Sequence, residues 1–164
     1  MTESTSKEIE FLYVAGKWAD REKIGNIIKQ LQQHGFIVTH NWTRVETKDL
    51  LKNLTEKTDT KEHDVDEDGH SGFTAEYMAA CAKNDIEGVV EADALLVIMD
   101  QPDYPYRGTW TEIGAALALK KPVIIVMPNE DINQNASNVF FRHELVHHVS
   151  SSSMYNLVNY LRSM

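Results

Sequence analysis

The chain has 164 residues, 42% hydrophobic and 25% charged, with a net charge of −9. That is enough chain to bury a core, and a surface this acidic argues against a binder of polyanions, because phosphate-backbone contacts need Lys and Arg. A single small nucleotide, which needs only a local site, stays open as a ligand.

The elements alternate between strand and helix. Phe11 to Ala15 is a short apolar run ending at Gly16 and reads as a buried first strand. Ile24, Ile27, Ile28 and Leu31 then fall on one helical face, with Asp20 as a candidate cap and Gly35 as the stop. Phe36 to Thr39, Leu95 to Met99 and Val123 to Met127 are expected as the second, third and fourth strands, and Leu145 to Val149 as a fifth. Helical patterns cover Phe73–Glu91, Thr109–Leu119 and Met154–Leu161, the last capped by Ser153. This alternation predicts one α/β domain over 1–164 with a parallel sheet covered on both faces. Thr43 to Gly72 breaks the rhythm. Its segment Asp59 to Asp68 holds six acids and one lysine, which favours a solvated insertion over a lid and does not fit an EF-hand.

Met1 to Glu10 lacks a basic stretch followed by an apolar one, so no signal peptide is expected, and no apolar run approaches the roughly 18 residues of a membrane span. The lone Cys81 excludes an internal disulfide and reads as packing beside a helix face. A cytoplasmic location follows as the expectation, with the sequons at Asn41 and Asn53 as chance matches.

Open parallel sheets bind ligands beyond the carboxyl ends of their strands, where strand order reverses. Here that point lies between the loops Tyr13–Trp18 and Asp100–Trp110. Neither a G-x-G-x-x-G fingerprint nor a G-x-x-x-x-G-K-[ST] loop is present, so no standard phosphate cradle is expected. Two acids stand out. Thr109-x-x-Glu112 reads as a capping box, with Gly114 and Ala115-Ala116 permitting close helix–sheet packing. A carboxylate in a first helical turn also stays ionised and able to attack a sugar carbon, and Gly108 leaves the backbone open to a ligand. Asp85 shares a helical stripe with Met78, Ala82 and Val89, so it either has a partner near a helix end or serves a site.

Four segments together resemble the nucleoside 2-deoxyribosyltransferase superfamily, which includes nucleoside 5′-monophosphate N-glycosidases. They are Asn84-Asp85-Ile86-Glu87-Gly88, Ala92-Asp93-Ala94-Leu95-Leu96, Gly108-Thr109-Trp110-Thr111-Glu112-Ile113-Gly114-Ala115-Ala116 and Lys121-Pro122-Val123-Ile124-Ile125, with Tyr13-Val14-Ala15-Gly16 as the opening strand and turn. The resemblance implies a flavodoxin-like, doubly wound five-stranded sheet and a homodimer or larger homo-oligomer acting on a small nucleoside or nucleotide without a cofactor. It makes Glu112 the nucleophile, Tyr13 its orienting partner and Asp85 a contact to the departing base. Asn138 is the nearest match to an Asn or Asp borrowed from a neighbouring subunit. Gly16 and Trp18 fall in the ligand turn, where Trp18 is either a base platform or core. Six residues before Glu112 the transferases carry Asp and the monophosphate hydrolases Ser. Here that residue is Tyr106, with Asp103 and Arg107 as replacements for the sugar and phosphate contacts. Tyr104 and Tyr106 read equally as ligand contacts or as a subunit interface.

His143-Glu144-Leu145-Val146-His147 matches H-E-x-x-H, but the motif needs a helix, and this one runs into a β-like stretch. Two rival classes remain beside the enzyme: a nucleotide sensor without turnover, as Gly-Thr-x-x-Glu turns resembling those of Lonely-guy phosphoribohydrolases allow, and an assembly protein that keeps only the fold.

Overall fold

The strand interiors are apolar on alternate sides, and the computed structural model shows both sides covered. The structure describes residues 7–44, 74–101, 103–128, 134–150 and 153–164. Its five strands are β1 (Phe11–Ala15), β2 (Ile37–Val38), β3 (Ala94–Ile98), β4 (Val123–Met127) and β5 (Val146–Ser150). They form one all-parallel sheet in the order β2-β1-β3-β4-β5. The helices are α1 (Arg21–Gln33), α2 (Ala75–Glu91), α3 (Arg107–Ala118) and α4 (Met154–Ser163). This is the expected doubly wound α/β fold, with strand order reversing between β1 and β3.

A strand side chain points to one face and its neighbour to the other. Leu12, Val14, Ala94, Leu96, Ile98, Ile124 and Val126 therefore pack with Ile24, Ile28 and Leu31 of α1 and Leu157, Val158 and Leu161 of α4. Tyr13, Ala15, Leu95, Val97, Met99, Val123, Ile125 and Met127 pack on the opposite face with Val89 of α2 and Ile113 and Ala116 of α3. Asp93, just before β3, accepts hydrogen bonds from the Glu10 and Phe11 amides at 3.0 and 2.9 Å and pairs with Lys7 at 2.8 Å. It ties the entry of β3 to the start of β1. Gly35, at φ +94°, turns the chain after α1 where a side chain is disfavoured. Thr74 and Ser153 cap α2 and α4 through their side chains; Asp20 stands at the N-cap of α1 but makes no such bond.

The second strand is only two residues long, against the four expected. The start of α3 differs more. Its N-cap is Tyr106, held at φ 53° and ψ 43°, and Thr109 is a buried third residue of the helix. Thr109 and Glu112 therefore do not form a capping box, and Glu112 lies in the second turn rather than the first. Gly114 faces open space, while Ala116, as expected, packs in the core with Ile113, and Ala115 lies against it. Of the expected stripe on α2, Val89 reaches the core, while Met78 and Ala82 are exposed and Asp85 is half-buried. Residues 45–72 of the expected insertion, with their acidic run and the lid reading, lie outside the described residues. Among the described residues, no helix is long and apolar enough to cross a membrane.

Candidate active site

β1 carries Tyr13 at its centre, facing α2 and α3, and Tyr13 is almost wholly buried at 1% exposure. Gly88 lets α2 approach it. A Cβ at Gly88 would lie 2.7 Å from a Tyr13 ring carbon and 2.8 Å from the His40 Cβ, so no other residue fits without moving the helix. Thr39 Oγ1 locks the contact by donating to the Gly88 carbonyl at 2.6 Å. One turn earlier on α2, Asp85 is thereby brought over Tyr13. From α3, Ile113 enters the core and Glu112 beside it turns toward the same tyrosine.

The three side chains form one group, in which Glu112 and Asp85 both bear on the Tyr13 phenol. Burial, with two carboxylates alongside, holds the Tyr13 phenol far above its ordinary range, so it keeps its proton. Burial also pushes Glu112 up to about 8; the neighbouring Tyr13 hydroxyl opposes this and the nearby Asp85 charge adds to it. Desolvation therefore favours the protonated form of Glu112 at neutral pH. This corrects the expectation of a carboxylate kept ionised by a helix N-terminus: the side chain sits a turn too far into α3, and desolvation outweighs the dipole. One Glu112 oxygen, Oε2, is buried with no hydrogen-bond partner among the described residues. Asp85 is half-buried and pairs with His40 Nε2 at 3.5 Å, which answers the need for a partner.

These groups line a cavity of about 310 Å³ at the β1/β3 switch point, together with Gly16, Lys17, Trp18, Trp42, Tyr104, Tyr106, Arg107 and Gly108. Trp18 and Trp42 stand 6.1 Å apart at 31°, and Trp42 is fixed by its Nε1 donating to the Val14 carbonyl at 2.7 Å. Ala82 and Ile86 of α2 also line the cavity. Lys17 donates to Gln101 Oε1 at 2.5 Å and lies 4.9 Å over the Tyr104 ring. The first bond within α3 runs from the Trp110 amide to the Tyr106 carbonyl, so the amides of Arg107, Gly108 and Thr109 precede it and are unspent by the helix. Gly108 has open space above it, as a ligand contact requires.

Two expected site residues lie elsewhere. Asp103 is exposed and borders a neighbouring cavity with Lys17, Gln101 and Tyr104, away from Glu112. Asn138 caps a 3₁₀ turn by accepting from the Phe140 amide and does not line this cavity. Asn135 supports the site instead: it accepts from Trp110 Nε1 at 2.8 Å and donates to the Tyr104 carbonyl at 2.9 Å. The Tyr106 hydroxyl accepts from the Gln101 amide at 3.0 Å, so Tyr106 gives the cavity its ring. His40 and Trp42 were not singled out by the sequence. The H-E-x-x-H histidines have separate neighbours: His143 Nδ1 accepts from the Leu145 amide, and His147 on β5 packs on Tyr160. Among the described residues, no group of three or more potential metal ligands is present.

The model of the nucleoside 2-deoxyribosyltransferase family matches residues 12–139, a span that contains Tyr13, Asp85 and Glu112. The chain belongs to that family. No curated protein matches it by sequence. Among solved structures, the CMP N-glycosidase BcmB of Clostridium botulinum shares the fold at a TM-score of 0.52 and 16% identity, covering 94% of this chain and 100% of its own. Membership places the protein among enzymes of nucleoside N-glycosidic bonds.

Proposed function

We propose that the protein breaks the N-glycosidic bond of a nucleoside 5′-monophosphate, with Glu112 as nucleophile. The observation that carries this reading is the polarity of one cavity. Its lining joins the acids Glu112 and Asp85 and the phenol Tyr13 with the cations Lys17 and Arg107 and the start of α3. Cations beside amides that the helix leaves unspent suit a phosphate, and the rings of Trp18 and Trp42 on the lining suit a base. The fold shared with a CMP N-glycosidase accords with this.

The Glu112 carboxylate attacks C1′ through an oxocarbenium-like transition state, as in retaining glycosidases. The C1′–O bond forms as the C1′–N bond breaks, and the base leaves with a proton from Asp85. Water or a second base then displaces Glu112 from C1′. Tyr13 orients Glu112, and Gly16 and Gly108 admit the sugar phosphate near the backbone. The phosphate contact falls to Arg107 and Lys17, the cations on the cavity lining. Asn138 acts across a subunit boundary, next to Val139 and Phe140, which are 76% and 55% exposed. A monomer in sedimentation would remove Asn138 from the site.

Chromatography of deoxynucleosides, ribonucleosides and their 5′-monophosphates, with and without a second base, tests the reading. Base release from monophosphates is expected. Arg107→Ala should lower kcat/KM for them by roughly 10- to 100-fold, the worth of a charge-assisted hydrogen bond, and leave free nucleosides little changed. New nucleoside formed from free nucleosides only when a base is added would replace this reading with the deoxyribosyl transfer for which the family is named. Saturable binding without base release would make the domain a nucleotide sensor.

A further inference from the structure

The chain enters α3 through a conformation that needs support. Tyr106 holds φ 53° and ψ 43° with its side chain buried, a left-handed state that a bulky residue adopts only under constraint. Arg107 and Gly108 follow it directly and line the cavity. The aim of the Arg107 side chain, and of the Arg107, Gly108 and Thr109 amides, therefore depends on what fixes the chain on either side of Tyr106.

Asn135 fixes both sides at once. It does not line the cavity, and its side chain is buried at 7% exposure. Its Nδ2 donates to the Tyr104 carbonyl at 2.9 Å, before the left-handed residue. Its Oδ1 accepts from Trp110 Nε1 at 2.8 Å, after it. Only one orientation of the amide serves: turned over, it would set its NH2 group against the indole N–H and its oxygen against a carbonyl. Asn135 is itself rooted. Its carbonyl accepts from the Asn138 amide at 2.9 Å, and Ala136 beside it packs against the core layer of Phe141 and Ile113.

We propose that Asn135 is a positioning residue for the phosphate of a bound nucleotide, acting through Tyr104 and Trp110 on the start of α3. The inference rests on the reading of the ligand as a nucleoside 5′-monophosphate. Both cations on the cavity lining depend on the frame that Asn135 ties down. Arg107 lies between its two anchor points, and Lys17 Nζ lies 4.9 Å over the Tyr104 ring. Without the amide, the loop and the helix start are free to move apart. The phosphate then loses aligned partners, whereas Tyr13 on β1 and Asp85 on α2 keep their own supports.

The test adds Asn135→Ala or Trp110→Phe to a Glu112→Ala protein, so that binding is read without cleavage. Each protein is titrated calorimetrically with a panel of nucleoside 5′-monophosphates and their parent nucleosides. For the monophosphate that binds tightest, Asn135→Ala is expected to raise Kd by about 10-fold, the loss of one charge-assisted contact, with the parent nucleoside changed less than about twofold. When Arg107→Ala is also present, the same substitution should cost less than about threefold, because the main group it positions is already gone. An unchanged Kd, an equal loss for nucleoside and monophosphate, effects of Asn135→Ala and Arg107→Ala that simply multiply, or no binding of any monophosphate would each overturn the proposal. If Asn135→Ala fails to fold by circular dichroism, Trp110→Phe, which removes only the indole donor, decides by the same comparisons. Base release by wild type is read separately. Its absence beside the expected binding pattern defeats the glycosidase reading and leaves Asn135 in its role, whereas an active wild type with unaltered binding in the variants defeats only this one.

Discussion

Glu112→Ala gives a folded protein whose base release falls by about 10³-fold or more. That scale is expected when a nucleophile is deleted and only binding and positioning remain. Folding should survive because one of the wild-type side chain's oxygens is buried without a partner among the described residues, and a buried polar group left unpaired costs stability rather than adding to it. Chromatographic base release and circular dichroism on the same preparation decide the outcome. A rapid quench of wild type followed by intact-mass measurement should also show the mass of the sugar phosphate added to the chain. Retained turnover in Glu112→Ala would remove Glu112 from the chemistry and leave the cavity as a binding site.

The contrast between what the sequence disclosed and what it hid follows from the range of each interaction. β1, β3 and β4 were legible because five consecutive apolar residues suit a strand buried on both faces, and their alternation assigns each side chain to a layer. Tyr13, Asp85 and Glu112 were found as motif pieces; nothing local says that they meet. Their meeting depends on Gly88, whose missing side chain sets the α2 distance, and a glycine inside a helix carries no such message in one sequence. His40 and Trp42 were missed for a related reason. They follow a two-residue strand, in a stretch without periodicity, and are recruited only by contact with Asp85 and with the Val14 carbonyl.

The start of α3 shows a local rule overridden. Thr109-x-x-Glu112 satisfies the capping pattern, but the chain enters the helix through Tyr106 in a left-handed conformation that a bulky residue adopts only under tertiary constraint. That constraint is visible. The Tyr106 ring is buried edge-on against Tyr104 at 4.9 Å, and its hydroxyl takes the Gln101 amide. The extra turn gained this way moves Glu112 off the helix end and into the cavity wall, where desolvation governs its charge.

That desolvation has a stability consequence opposite in sign to the catalytic one. Glu112→Gln should inactivate the protein yet stabilise it, and the gain should grow with pH. The unfolded chain releases the Glu112 proton near 4.5 and the folded protein only near 8. Between these values the folded state binds a proton that the unfolded state has lost, so wild-type stability falls as pH rises through the window. Below 4.5 both states are protonated and the effect is absent; above 8 both are ionised and the full penalty stands. Glutamine cannot ionise, so the difference between the two melting curves should open from about pH 4.5 and level off past pH 8. One pKa unit corresponds to about 1.4 kcal/mol, which makes the plateau on the order of a few kcal/mol, or roughly 10 °C in Tm for a chain of this size. Melts of both proteins from pH 4 to 9 would show it, and parallel curves would mean that Glu112 is not held protonated by the fold. A diverging pair, with the more stable protein inactive, would identify the burial of Glu112 as a cost retained for its chemistry.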